Sequence, residues 1–447
     1  MIREVGVSRI EDLYSDVPRK YWLQRRLALP RGKSEQEIRR LVEKTLAKNR
    51  TIQDMPIFLG AGCSPHYVPA AVEAIVQRTE LFSSYTPYQP EVSQGMLQAL
   101  FEYQSMICAI TATEVANCSM YDWASALGEA VRMATRLTHR AEALVPRIIH
   151  PERMMTLAAY TKPAGIVVNP IGYEAETGLL DIEELRANIT ERTAAVYIEN
   201  PTFLGLIETH VDKIAEIAHD HGALFIVGVD PLSLGVLRPP GEYDADIVVG
   251  EGQALGNPMN YGGPMLGIFA CRDDMQLIRQ MPGRTIGMTR TVDGKQRGFC
   301  MALQTREQHI RRERATSNIC SNESLCAVAA AVYLALLGPT GLRELGETIM
   351  CKTRYAMNRI AEVDGVNIPL FTSPHFKEFT VNFDQAGKTV HDVHESLLQH
   401  QIHGGKSLCQ DFPEFGETAL YCTTEIHSKE DIDRLGQTLK MILGGKS

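Results

Sequence analysis

The sequence predicts an α/β protein in which a large, mostly parallel sheet is wrapped by helices and followed by a smaller α+β part. Three observations carry this. Between residues 56 and 338, apolar strand-like runs alternate with helical periods, and the links between them are short. After Gly338-Pro339 the pattern changes to a helix, an isolated strand and a closing helix. Strand, helix and strand joined by short links make right-handed crossovers, whose helices cover both faces of a parallel sheet. The expected organisation is a helical arm over 1–55, a large domain over 56–338 and a small domain over 339–447.

The arm rests on Ser34 followed by Glu37, a capping-box spacing that opens the helical period of Ile38, Leu41, Val42 and Thr45. In the large domain, Asp181 caps a short helix through Arg186, with Glu184 in the box position. Ala194 to Ile198 reads as a buried strand ended by Asn200-Pro201. Thr209 starts a helix with Ile214, Ile217 and Ala218 on one face, stopped by Gly222. Ala223–Val229 and Asp246–Val249 are further strands. Leu325 to Leu337 is an apolar run of thirteen residues, a buried helix too short to span a bilayer. An amphipathic helix to about Ile360, a strand over Phe379–Phe383 and a helix from Ser428 complete the chain.

Composition sets limits. The chain has 447 residues, with 45 Lys and Arg against 54 Asp and Glu, a net charge of −9 that gives no reason to expect nucleic acid or an anionic membrane as partner. At 49.6 kDa, roughly three-quarters of the unfolded chain's surface can be buried, so a large core needs no disulfides. The ten cysteines include no Cys-x-x-Cys pair, and the first residues contain no signal-type apolar region; reduced thiols in a cytoplasmic protein are expected. His219/His221 and His391/His394 are close pairs without a third ligand at convincing spacing, so no metal site is expected.

Candidate chemistry is sparse. Gly250-Glu251-Gly252-Gln253-Ala254-Leu255-Gly256 follows a strand, but Asn257-Pro258 and Gly262-Gly263-Pro264 forbid the helix that a dinucleotide loop must open. Asp230 ends a buried strand, where open parallel sheets bind ligands. It is either a turn residue before Pro231 or the partner of a protonated pyridine nitrogen, as in pyridoxal-phosphate (PLP) enzymes. Such an enzyme also needs a lysine for its Schiff base, about a strand further on. Only 14 of the 45 basic residues are Lys, and between Asn49 and Cys351 only Lys162, Lys213 and Lys295 occur. Lys295 lies in a polar turn. The scaffold is present and the amine is missing. Tyr85-Thr-Pro-Tyr-Gln-Pro-Glu-Val-Ser-Gln-Gly95 is the densest polar and aromatic segment, its prolines fixing an extended path for either a surface loop or a binding loop. Arg306 to Arg314 sums to only +2 and reads as a solvated helix face.

Several of these segments occur together in one known family. Gly60-Ala61-Gly62 with His66-Tyr67, the Tyr85–Gly95 run, Asn200-Pro201, Asp246–Gln253, Tyr261-Gly-Gly-Pro264, Leu303–Glu313 and Ala315–Cys320 appear in the same order. Over nearly its whole length the chain closely resembles the N-terminal (alpha) subunit of the glycine cleavage system P-protein in its split, two-subunit form. The resemblance implies a type I PLP-enzyme fold. It places the PLP lysine on a partner beta subunit, with Gln253-Ala254 standing where this chain has lost it. It further implies a heterotetramer of two alpha and two beta subunits that decarboxylates glycine and passes the aminomethyl group to the lipoyl arm of H-protein. On that reading Tyr85, Pro87, Tyr88, Gln89, Glu91, Ser93 and Gln94 line the interface at the partner's active-site mouth. Asn200, Asp230, Glu251 and Gln253 are remnants of an old pocket. Trp123, where the family usually has Gly, and Thr202, where Asn is commoner, are departures that bear on that pocket. Two alternatives stay open: a self-sufficient PLP enzyme using Lys295 or Lys213, and a non-catalytic scaffold or regulatory paralogue of the beta subunit.

Overall fold

Seven strands build the main sheet of the computed structural model, which describes residues 1–84 and 86–444. They are β1 (Val115–Ala116), β2 (Glu142–Pro146), β3 (Val167–Ile171), β4 (Thr193–Glu199), β5 (Leu224–Val229), β6 (Ile247–Glu251) and β7 (Gly267–Cys271), in spatial order β1-β7-β6-β5-β4-β2-β3. β3, β2, β4, β5 and β6 run parallel. β7 returns antiparallel beside β6, and β1 pairs antiparallel with β7.

The central strands are unbroken apolar runs because both their faces are covered. Side chains alternate between two cores. Val196, Ile198, Phe225, Val227, Val229 and Val248 pack with the helices Gln94–Thr111, Val211–Asp220 and the start of Ser324–Ala361. Ala195, Tyr197, Ile226, Ile247 and Val249 pack with Trp123–Thr138 and Pro151–Thr161 on the other face. Asp181 caps its helix by accepting from the Glu184 N–H at 2.9 Å. The helix expected from Thr209 begins at Val211, and its N-cap, His210, makes no side-chain cap bond.

Ser324–Ala361 is two helices joined at Gly338, whose φ of 58° and ψ of −176° interrupt the helical path before Pro339. The apolar first half meets length and composition criteria for a membrane span together with its continuation, yet Ala327, Val328, Ala330 and Tyr333 are buried in the main core. A hairpin of β8 (Thr285–Arg290) and β9 (Arg297–Ala302) lies against the Gln94–Thr111 helix.

The smaller sheet holds β10 (Glu378–Asn382), β11 (Lys406–Ser407) and β12 (Thr418–Cys422), antiparallel in the order β10-β12-β11. Its core joins Phe379, Val381 and Tyr421 to Ile360, Val393, Leu435 and, from much earlier in the chain, Phe58. Phe58 is tied there by its N–H to the His403 carbonyl (2.9 Å) and its carbonyl to the Cys422 N–H (2.8 Å).

By its internal contacts the chain divides into Met1–Thr51 and Ile52–Ser447. The first unit contains the helix Glu35–Leu46, whose Ser34 cap and Glu37 bond each other's backbone N–H reciprocally, and none of its residues is buried. All ten cysteines are free thiols.

Candidate functional site

The chain order of the main sheet reverses between β2 and β4, and ligand sites of open α/β sheets lie at the carboxyl ends of strands beside such a reversal. Here Glu199 ends β4, Asp230 directly follows β5 and Glu251 ends β6, so that three acids from adjacent strands face one pocket. Trp123, Arg153, Gln253, Ala254, Lys377 and Glu378 complete most of its wall.

Each acid has its own partner. Glu199 is buried and ion-paired with Arg153, and its Oε1 accepts from the Tyr197 hydroxyl at 2.9 Å. That hydroxyl accepts from Trp123 Nε1–H at 3.0 Å, and the Arg153 guanidinium stacks 3.6 Å over the indole. The indole has this space because residue 228 is glycine: a Cβ there would stand 2.6 Å from Trp123 Cζ2. Glu251 accepts three backbone N–H groups, from Gln253 (3.0 Å), Leu266 (2.8 Å) and Trp123 (3.2 Å), yet burial raises its pKa to about 7. Asp230 accepts the Leu232 N–H at 3.0 Å through Oδ1, the turn role expected of it, while Oδ2 takes the Lys377 ammonium at 2.5 Å. Burial works against the charge on Lys377, but the carboxylates of Asp230 and Glu378 outweigh it and hold its pKa above the ordinary lysine value.

Lys377 is the residue that sequence reasoning missed. A Schiff-base amine is expected about a strand beyond Asp230, whereas Lys377 arrives much later in the chain, just before β10. The position is tightly built. Lys377 has φ +64°, a left-handed backbone that a non-glycine residue adopts at some strain. The flanking chain is pinned by Phe376 N–H to the Gly205 carbonyl (2.8 Å) and by Thr423 N–H to the Lys377 carbonyl (2.8 Å).

This pocket does not fit PLP. Neither Gln253 nor Ala254, the pair the resemblance sets at the Schiff-base position, is an amine, and the Gln253 amide donates to the Asn257 carbonyl at 2.6 Å. The acid suited to a pyridinium is already ion-paired. The free space is about 40 Å³, room for a few waters and far below the roughly 300 Å³ at which pockets for drug-sized ligands begin.

Of the predicted remnants, the structure brings Asp230, Glu251 and Gln253 together. Asn200 is not in the pocket wall; its carboxamide turns to the backbone of Glu208, accepting from N–H at 3.2 Å and donating to C=O at 3.3 Å. Both departures, Trp123 and Thr202, are in the wall.

In the Tyr85–Gly95 run, Tyr85 lies outside the described residues. Tyr88, Gln89 and Glu91 are exposed, and the Tyr88 hydroxyl accepts from Arg284 at 2.9 Å. Pro87 is buried and anchors the segment instead of lining a surface, and Ser93 is half-buried. Gln94 clamps the run to β9, bonding both the N–H and the carbonyl of Phe299 at 2.9 Å. Arg306, expected on a solvated face, is buried among the carbonyls of Met281 and Gly283 and the Thr285 hydroxyl. Among the described residues no cluster of three metal-type ligands occurs.

Comparison with known proteins places this arrangement. The family model of the glycine cleavage system P-protein matches residues 1–439. The chain belongs to this family. Among P-protein relatives, the "probable glycine dehydrogenase (decarboxylating) subunit 1" of Thermococcus kodakarensis is 52% identical over 99% of this chain and 96% of its own. The protein of the same description from Staphylothermus marinus is 49% identical over 99% and 95%. A crystal structure of glycine decarboxylase (P-protein) of the glycine cleavage system, in inhibitor-bound form, superposes with a TM-score of 0.90 at 40% identity, covering 99% of this chain and 97% of that one. Sphingosine-1-phosphate lyase from Burkholderia pseudomallei, at 14% identity and a TM-score of 0.68 over 94% and 93%, shares the fold alone. The architecture is that of the type I PLP-dependent enzymes, as the resemblance implied.

Proposed function

We propose that this P-protein chain is the alpha subunit of a two-subunit glycine dehydrogenase (aminomethyl-transferring), inactive by itself and completed by a beta subunit that carries PLP. The observation that carries the reading is the filled pocket: a PLP-enzyme fold with no Schiff-base lysine, and with its ring-binding aspartate engaged by Lys377. Bound to the partner, PLP supplies the electron sink for loss of carbon dioxide from glycine. The aminomethyl group then passes to the lipoyl arm of H-protein. The naming of close relatives as "subunit 1" supports a split enzyme, and two alpha with two beta subunits is the assembly proposed. A cytoplasmic location is part of the proposal.

The alpha chain's own share is positional. Tyr88, Gln89 and Glu91 stand exposed on a segment made rigid by buried Pro87, by Pro90 and by the Gln94 clamp on β9. Preorganised polar groups of this kind serve to orient a substrate and to exclude water at a neighbouring site. We place them at the mouth of the beta subunit's active site.

Reconstitution tests the reading. With both subunits present, glycine–bicarbonate exchange is expected, and neither alone should support it. Glu91→Ala is expected to lower exchange by roughly 10-fold or more while the subunits still assemble. Exchange by the beta subunit alone, or an unchanged rate in Glu91→Ala, contradicts it.

A further inference from the structure

The pocket's loss of a lysine explains why no covalent cofactor forms there, but not why an aspartate remains buried at the end of β5. An unpaired buried carboxylate is costly, and the usual remedy in evolution or design is to remove it. Asp230 instead keeps both oxygens satisfied, one by the Leu232 N–H and one by Lys377. We propose that Lys377 is a built-in substitute for a cationic ring nitrogen: its ammonium occupies, at Asp230, the place a protonated pyridine would take, and so closes this chain's pocket to PLP.

Three observations support the assignment. The contact is short, 2.5 Å, and both side chains are nearly out of solvent, with 9% of Lys377 and 14% of Asp230 exposed. The backbone is bent to make it, since Lys377 holds φ +64° and strain of this kind persists only where the surroundings over-determine it. The surroundings do: a Cβ on Gly205 would stand 2.0 Å from the Glu378 carbonyl oxygen, so only glycine lets the two strands of chain approach closely enough to seat the lysine. No other cation in the wall is available for Asp230, because Arg153 is taken by Glu199 and stacks on Trp123. Lys377 is equally unsuited to act as a Schiff-base amine, since a nucleophilic amine must be unprotonated and Asp230 holds this one as ammonium. Closure therefore depends on Lys377, through its charge and its bulk, as well as on the missing lysine.

The inference rests on this chain's type I fold and not on the partner's role, and its test measures binding rather than glycine turnover; the two readings can fail separately. The probe is PLP added to the full-length chain. The only tryptophans are Trp22 and Trp123, so quenching of Trp123 emission reports a ring entering the pocket. The original chain and Lys377→Arg should show no saturable quenching at millimolar PLP. Lys377→Ala, which removes the side chain's bulk together with its charge, should bind at least ~10-fold more tightly, and Lys377→Ala with Asp230→Asn should lose that gain while keeping the fold. Lys377→Ser is also neutral and short; it should also bind, and it replaces the Ala variant if that one does not fold. Saturable binding by the original chain, no gain in either neutral variant, or borohydride trapping of a pyridoxyl group on Lys377 would overturn the proposal.

Discussion

Glu251 is ordinary in sequence and unusual in place. Three backbone N–H groups stabilise its carboxylate, and burial nevertheless raises its pKa from 4.5 to about 7. The folded chain thus binds this proton more tightly than the unfolded chain does. The corresponding stability is fully present below about pH 4.5 and is lost as pH rises through about 7. Glu251→Gln should flatten the decline in denaturation midpoint between about pH 5 and pH 8. A slope identical to that of the original chain would assign the effect to other groups. Residue-scale logic of the same kind explains Trp123: its indole fills the pocket only because residue 228 lacks a Cβ, so the two positions act as one.

At the scale of elements, the turn before β10 is what connects the smaller sheet to the pocket. Gly205, at φ +83°, is the hinge of that approach. Gly205→Ala introduces both a clash with the Glu378 carbonyl and backbone strain, and should destabilise the chain by about 2 kcal/mol or more. Amide hydrogen exchange should show the loss concentrated around residues 376–378, and uniform loosening would argue that the turn is not the element affected. Much of this level was legible in the sequence. The β4, β5 and β6 strands stood out because both their faces are buried, Asp181 and Ser34 cap their helices as their spacing implied, and the closing helix starts after Ser428 as expected. The pocket's other half was not legible. Lys377 and Asp230 come from distant parts of the chain, one just before β10 and one just after β5, and no periodicity links them. Arg306 was misplaced for a related reason: in a charged stretch, nothing local distinguishes a guanidinium that solvates three buried acceptors from one that faces water. Asn200 was assigned by its neighbourhood to a pocket from which its carboxamide turns away.

For the whole molecule, the low lysine content acquires a structural meaning. The sheet, its chain reversal and the acids at its strand ends are those of a cofactor site, while the space and the amine that a cofactor requires are absent. The exposed Tyr88–Glu91 stretch is rigid without any ligand of its own to serve, which is what a surface completing another subunit's site would require. The central claim is that PLP resides on the partner and not on this chain. The direct measurement is borohydride reduction of the reconstituted alpha–beta complex, followed by mass mapping of the pyridoxyl label. The account predicts label on beta-subunit peptides alone. Label on Lys213, Lys295 or Lys377 of this chain would contradict it.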